Sequence, residues 1–390
     1  MKNILITGGA GFIGSNIAIK LFKKGYSVRV LDNLSNQIHG SDPEKTSPLY
    51  KSIINKVEFF KGSVTSKDDW KRAIKNQDAV IHLAAETGTG QSMYRVKDYV
   101  DVNIGGTALL LDTLTNEKHS ISKVILSSSR AVYGEGKYKC SEHGIVYPQS
   151  RKTEDMLKGD FDCKCPVCNE NAKLLATDES TRTAPTSIYG ITKLNQEQMI
   201  LTIGKALEIP TVIFRYQNVY GPGQSLSNPY TGILSIFSTR IKNSNTINIF
   251  EDGKESRDFI YIDDLVAATV LGLEMENKDI NFEIFNVGAG IPIDVLTVAR
   301  SLCFNYKKPL DMNISGDFRV GDIRHNFADI SKIKNYIKFK PNYDFEKGIK
   351  LFCNWVEQQE INEDNFSSSI EEMEQKKFYK KNKLDNIIGL

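Results

Sequence analysis

Gly8-Gly9-Ala10-Gly11-Phe12-Ile13-Gly14 decides the fold of this chain. Before it, Lys2-Asn3-Ile4-Leu5-Ile6-Thr7 is short and apolar enough for a buried strand. After it, Ile13, Ile17, Leu21 and Phe22 recur at helical spacing up to Lys23-Lys24-Gly25. Ser27-Val28-Arg29-Val30-Leu31 reads as a second strand, closed by Asp32-Asn33. Strand, glycine turn, helix and strand within about 30 residues make one βαβ unit. Gly8 permits the tight turn, Gly11 lets backbone approach a pyrophosphate, and Gly14 lets the helix pack close to the strand. The first helical turn, with Phe12 and Ile13, offers free N–H groups and a positive dipole end to phosphates. Asp32 at the tip of the second strand would accept hydrogen bonds from an adenosine ribose, which favours NAD over NADP. A glycine triplet alone is common; the flanking strand, helix and acid supply the context this motif requires.

The chain has 390 residues, enough for one large or two modest domains. At 40% hydrophobic and 25% charged it has the composition of a soluble globular protein. A net charge of +2 gives no bulk attraction to nucleic acid or membrane. The start does not read as a signal peptide, and no apolar run is long enough to span a membrane. The expectation is a cytoplasmic enzyme. Four of the six cysteines, Cys140, Cys163, Cys165 and Cys168, fall close together, which in such a setting reads as metal before disulfide.

Residues 34–55 are polar and read as a loop. Val57-Glu58-Phe59-Phe60, the run 78–85 and Val124-Ile125-Leu126 read as further strands, with helices over 69–75 and 94–116 between them. The fourth strand ends in the small residues Ala84-Ala85 and the fifth in Ser127-Ser128-Ser129. Such alternation predicts a doubly wound parallel α/β sheet of Rossmann type, with ligands at the C-terminal strand ends. A polar insert without periodicity covers about 135–180. A helix over 187–207 and a strand at 211–214 complete a first unit, 1–219. Residues 220–355 read as a smaller lobe covering the cofactor, with segments crossing back to the sheet. Residues 356–390 form a charged tail, whose stretch 361–390 is expected to be solvated, with a helix packing on a partner subunit as the alternative.

Tyr189 and Lys193 stand four apart, hence on one helix face. A phenol is a poor base at neutral pH unless neighbouring cations stabilise its phenolate. The spacing recurs at Tyr133, Tyr336, Tyr343 and Tyr379, so position decides: only Tyr189 both follows the fifth strand and opens a helix.

Several motifs, in order, resemble the extended short-chain dehydrogenase/reductase family, above all its sugar-nucleotide epimerases and dehydratases. They are the stretch 7–14, Leu83-Ala84-Ala85, Asn103-Ile104-Gly105-Gly106-Thr107, the stretch 127–134 and Tyr189-Gly190-Ile191-Thr192-Lys193. The resemblance runs from residue 1 to about 355. It implies Tyr189 as base, Lys193 at the nicotinamide ribose, and Ser129 hydrogen-bonding the reacting hydroxyl. It also implies Asn33, Ser63, Val64, Leu83, Ala84, Ala85, Asn103, Ser127 and Tyr216 as further cofactor contacts. Gly62-Ser63-Val64 departs from the family's usual Gly-Asp at that point. Arg257, Arg319, Asn218 and Asp322 would hold a nucleoside diphosphate, with Glu86 and Asn228 also assigned to the substrate and Tyr230 a candidate for specificity. Helices such as 94–116 and 187–207 would form a homodimer.

The insert lengthens the stretch between Ser129 and Tyr189 beyond the family's usual spacing. Cys140-x-x-His143 with Cys165-x-x-Cys168 offers the four ligands of a structural zinc knuckle, with Cys163 an alternative to His143. The insert and the stretches 32–40 and 85–92 resemble the dTDP-L-rhamnose 4-epimerases within the family. The resemblance implies NAD-dependent C4 epimerisation of a nucleoside-diphosphate sugar. A UDP-hexose epimerase and a 4-dehydrogenase releasing NADH are the alternatives. A non-catalytic NAD sensor is the contrasting class, and the complete Ser129, Tyr189 and Lys193 set argues against it.

Overall fold

A computed structural model describes residues 1–228, 230, 232–360, 364 and 366–382. Its centre is a seven-stranded sheet, parallel throughout. The order is Glu283–Val287, Thr211–Tyr216, Lys123–Ser129, Ala79–His82, Asn3–Thr7, Ser27–Asp32 and Glu58–Lys61. Ala79–His82, Lys123–Ser129 and Thr211–Tyr216 are buried at every position, as expected for strands covered on both faces. One face packs Ile17, Leu21, Leu265 and Val270 of two helices, and the other packs Trp70, Leu110 and Ile200 of three more. The chain moves outward from Asn3–Thr7 to Glu58–Lys61, then crosses back to Ala79–His82. The switch point therefore lies beside the glycine turn.

The turn is as tight as its glycines suggest. A Cβ on Gly14 would sit 2.2 Å from the Gly8 carbonyl oxygen, and one on Gly8, at φ +67°, 2.8 Å from the Ala84 nitrogen. The helix Phe12–Lys23 starts directly after it. The helix Ile188–Ala206 is capped by the Ser187 side chain, which accepts from the Gly190 N–H at 3.1 Å.

Four regions differ from the sequence reading. Residues 34–55 hold three short helices, Asn36–His39, Pro43–Thr46 and Pro48–Ile53, each too short to show a period. The helix expected over 94–116 is interrupted by a π-helical stretch, Val100–Gly105. The insert carries a small antiparallel sheet of Tyr138–Cys140, Gly144–Val146 and Lys173–Leu174. Of the stretch expected to be solvated, residues 366–382 pack on the protein: the helix Phe366–Gln375 leads to a strand, Tyr379–Lys380, paired with Phe318–Arg319. Residues 361–363, 365 and 383–390 lie outside the described residues.

The second lobe centres on a sheet of Asn218–Tyr220, Ser256–Tyr261, Pro292–Asp294 and His325–Asn326. It is not a separate bead. One apolar core runs from Ile4 to Val356, and Glu274 of the helix Ile262–Glu274 meets Lys24 at 2.7 Å and Tyr26 at 3.0 Å. No helix among the described residues is long and apolar enough to cross a membrane.

Candidate active site

The C-terminal strand ends open into two cavities. The first, about 360 Å³, is lined by Gly8, Gly11, Phe12, Ile13, Gly14, Asp32, Asn33, Ser63, Val64, Leu83, Ala84, Ala85, Ser127, Lys193 and Tyr216. Asp32 accepts from the Ala10 N–H at 2.9 Å and from the Leu34 N–H at 2.8 Å, tying the second strand end to the glycine turn. The N–H groups of Phe12, Ile13 and Gly14 begin a helix and have no intrahelical partner. Glycines whose Cβ atoms would collide with backbone, orphan N–H groups and a carboxylate at the next strand end fit a dinucleotide.

Asn103, expected to touch that cofactor, does not line the cavity. It is fully buried, its amide pairing with the Glu86 N–H at 2.8 Å, the Glu86 carbonyl at 3.1 Å and Thr192 at 2.9 Å. It holds the loop at Glu86 to the helix carrying Tyr189. Glu86 and Asn228, assigned from sequence to the substrate, line this first cavity instead.

The second cavity, about 370 Å³, is lined by Arg130, Asn218, Arg257, Arg319 and Asp322, together with apolar Phe237, Phe250 and Phe259. Asp322 sits between two guanidinium groups, Arg257 at 3.1 Å and Arg319 at 2.6 Å. They hold its carboxyl well below the usual carboxylate range, with Arg130 and Arg151 adding to the effect. Arg257 also donates to the carbonyls of Arg324 and Ile323, at 2.9 and 2.7 Å. Ser129 and Tyr189 line both cavities, as does Tyr230.

Three side chains follow one another down the helix Ile188–Ala206, Tyr189 half-buried and Lys193 and Glu197 buried. Lys193 lies one turn on, its Nζ donating to the Ser127 carbonyl at 2.9 Å and standing 6.0 Å from the Tyr189 ring centre. Burial pulls its pKa down to about 7, against the attraction of Glu197. Glu197, a further turn on, binds Arg215 through two contacts at 2.9 and 2.7 Å and accepts from the Ser128 hydroxyl. Burial raises the Tyr189 phenol above its ordinary value; the Ser129 hydroxyl and then Arg130 pull it down. Sequence reasoning missed Arg130 and Glu197. The available signals were a cation following Ser129 directly and a carboxylate four residues after Lys193.

The cysteine insert forms a separate cluster. Single ligand atoms of Cys140, His143, Cys165 and Cys168 all lie within 4.8 Å of one another. Cys140 Sγ is 3.6 Å from both His143 Nδ1 and Cys168 Sγ, and Cys165 Sγ is 3.8 Å from His143 Nδ1. Tetrahedral zinc with bonds of about 2.0–2.3 Å places its ligands at such separations. Cys163 turns away, its thiol donating to Glu135 at 3.3 Å.

Comparisons with known proteins agree with this geometry. The model of the NAD dependent epimerase/dehydratase family matches residues 4–154 and 166–288. A dTDP-L-rhamnose 4-epimerase of Burkholderia thailandensis is 36% identical over 360 residues, covering 92% of this chain and 96% of that one. A putative UDP-glucose 4-epimerase of Methanocaldococcus jannaschii is 30% identical, covering 90% and 98%. The crystal structure of a UDP-glucuronic acid 4-epimerase from Bacillus cereus, solved with UDP-glucuronic acid and NAD, superposes with a TM-score of 0.74 at 27% identity. It covers 91% of this chain and 99% of that one.

Proposed function

Since this chain belongs to the NAD dependent epimerase/dehydratase family and is an NAD-dependent nucleotide-sugar epimerase, we propose that it inverts C4 of a dTDP-6-deoxyhexose. The reading is conversion of dTDP-L-rhamnose to dTDP-6-deoxy-L-talose through a 4-keto sugar. The observation that carries it is the junction of the two cavities at Ser129 and Tyr189. A relative named for dTDP-L-rhamnose, at 36% identity, supports that sugar.

NAD, held by the glycine turn, Asp32, Ala84, Ala85, Ser127 and Lys193, supplies a hydride acceptor and donor at C4, so no net redox occurs. Tyr189 takes the proton from the sugar's O4 and returns it after inversion. Ser129 hydrogen-bonds the same oxygen. Arg257 and Arg319 clamp the diphosphate by charged hydrogen bonds, with Asn218 and Asp322 beside it. Cys140, His143, Cys165 and Cys168 hold a structural zinc, which has no open position for catalysis.

A second copy of the chain packs over the exposed Val96, Val100 and Ile191, which lie on the two helical segments expected to dimerise. Light scattering after gel filtration would report twice the chain mass. Val100→Glu is expected to halve it, and a wild-type monomer would end the dimer reading.

The deciding experiment is proton NMR of dTDP-L-rhamnose with the purified protein and no added NADH. L-talose-type signals with flat absorbance at 340 nm are expected. An unchanged spectrum would refute the rhamnose assignment and move the search to UDP-glucose and UDP-glucuronate. A rise at 340 nm tracking sugar loss would make the protein a dehydrogenase.

A further inference from the structure

We infer that residues 366–382 are a working wall of the substrate cavity, and that Met373 within them selects the sugar. This rests on the nucleotide-sugar reading above. The helix Phe366–Gln375 puts Phe366, Ser369 and Met373 on one face, at i, i+3 and i+7. All three line the second cavity, and none lines the first. Ser369 and Met373 are buried.

The helix runs along the cavity from one chemical end to the other. Phe366 stacks on Phe250, ring centres 6.1 Å apart, and the Arg319 guanidinium stands 5.5 Å from the same Phe250 ring. That is the phosphate-binding end. Met373 lies at the other, where its sulfur would be 3.3 Å from a Cβ built on Gly90. Gly88, two residues earlier, packs similarly near the Tyr99 hydroxyl, and Tyr99 meets the Tyr189 ring edge-on at 6.4 Å. Seven residues of helix span about 10 Å, on the scale of a sugar joined to a diphosphate.

The segment is fastened at Glu372 and again downstream of Met373. Glu372 accepts from the Tyr230 hydroxyl and, at 3.2 Å, from the Tyr94 hydroxyl. Tyr230 lines both cavities. Downstream, Tyr379 pairs with Arg319 in the small sheet, the Val320 N–H donates to the Phe378 carbonyl at 2.9 Å, and the Tyr379 hydroxyl donates to Asp317 at 2.6 Å. The strand that carries Arg319 is thus completed by this segment.

Its chemistry favours one class of sugar. Met373 brings a thioether and a methyl group to the cavity wall beside Gly90. An apolar wall there accepts a 6-deoxy methyl group without desolvation cost, whereas a carboxylate or hydroxyl at C6 would lose hydrogen bonds to water.

Two variants test this: a chain ending at residue 360, and full-length Met373→Ala. The readouts are KM and kcat for nucleoside-diphosphate sugars, the Kd for NAD and the melting temperature. Truncation is expected to raise KM about tenfold or more, about 1.4 kcal/mol, with the NAD Kd changed less than KM because no residue of 366–382 lines the first cavity. Met373→Ala is expected to raise KM for the 6-deoxy substrate about three- to tenfold and to narrow its preference over the 6-hydroxy analogue, with kcat little changed. KM and preference unchanged in Met373→Ala would overturn the proposal, whether or not the truncated chain folds. If the full chain binds no nucleoside-diphosphate sugar, the functional reading fails and the selection with it. If it binds one equally well with and without residues 366–382, only the wall proposal fails.

Discussion

Arg130 is the cation that works against the burial of Tyr189. It also donates to Asn218 at 3.1 Å, so it reaches from the strand end of the first lobe into the second cavity. Replacing it by methionine removes a positive charge beside the phenol and raises the phenol's pKa. The acidic limb of the kcat–pH profile of Arg130→Met is therefore expected to move to higher pH, and an unmoved limb would separate Arg130 from proton transfer. Lys193 gives a prediction of opposite character. Its folded pKa of about 7 lies below its ordinary 10.5, so burying it costs stability that is fully felt below about pH 7 and fades as pH rises toward 10.5. Lys193→Met should abolish turnover yet stabilise the fold at pH 7 by about 1–3 kcal/mol, and denaturant titrations at pH 7 and 10 should differ less than in the wild type. The Tyr189–Lys193 pair was legible because both lie on one face of a helix following a buried strand. Arg130 was not, since a residue just past a strand end can turn into either lobe.

The strands of the large sheet were legible as apolar runs buried on both faces, and the glycine turn announced its own geometry. Elements of two to four residues were not. The insert's strands are too short for alternation to register, yet the gathering of Cys140, His143, Cys165 and Cys168 could be read directly, because two close pairs do not depend on knowing the backbone between them. The helix Phe366–Gln375 was hidden for a different reason: its cavity-facing residues are scattered among glutamates, and charge is an unreliable guide where one narrow face does the packing. For the insert, the expected result is one zinc per chain. Cys168→Ser should lose the metal and lower the melting temperature by several degrees. The Kd for NAD should stay within about twofold, because no residue of 135–180 lines the first cavity. A chain that is metal-free as purified, and indifferent to Cys168→Ser, would leave four reduced side chains with no ion to hold.

Across the whole molecule, the two lobes share one apolar core, and their polar meeting point is Asp322. Arg130 approaches this carboxylate from the large sheet, and Arg257 and Arg319 from the second lobe. Arg151 of the insert donates to its backbone carbonyl at 3.0 Å. The pocket therefore carries its own counter-ion. A small free anion must compete with that carboxylate for Arg257 and Arg319, and it brings nothing else with which to displace it. A ligand that also stacks its base and seats its sugar can rearrange the cluster. Inorganic phosphate should accordingly be a poor competitive inhibitor of the wild-type protein, and Asp322→Asn should make it a good one, lowering its Ki about tenfold or more. Equal inhibition of both proteins would contradict this. On this account, a single acid lets the protein ignore the abundant anions around it and respond only to a complete nucleotide sugar.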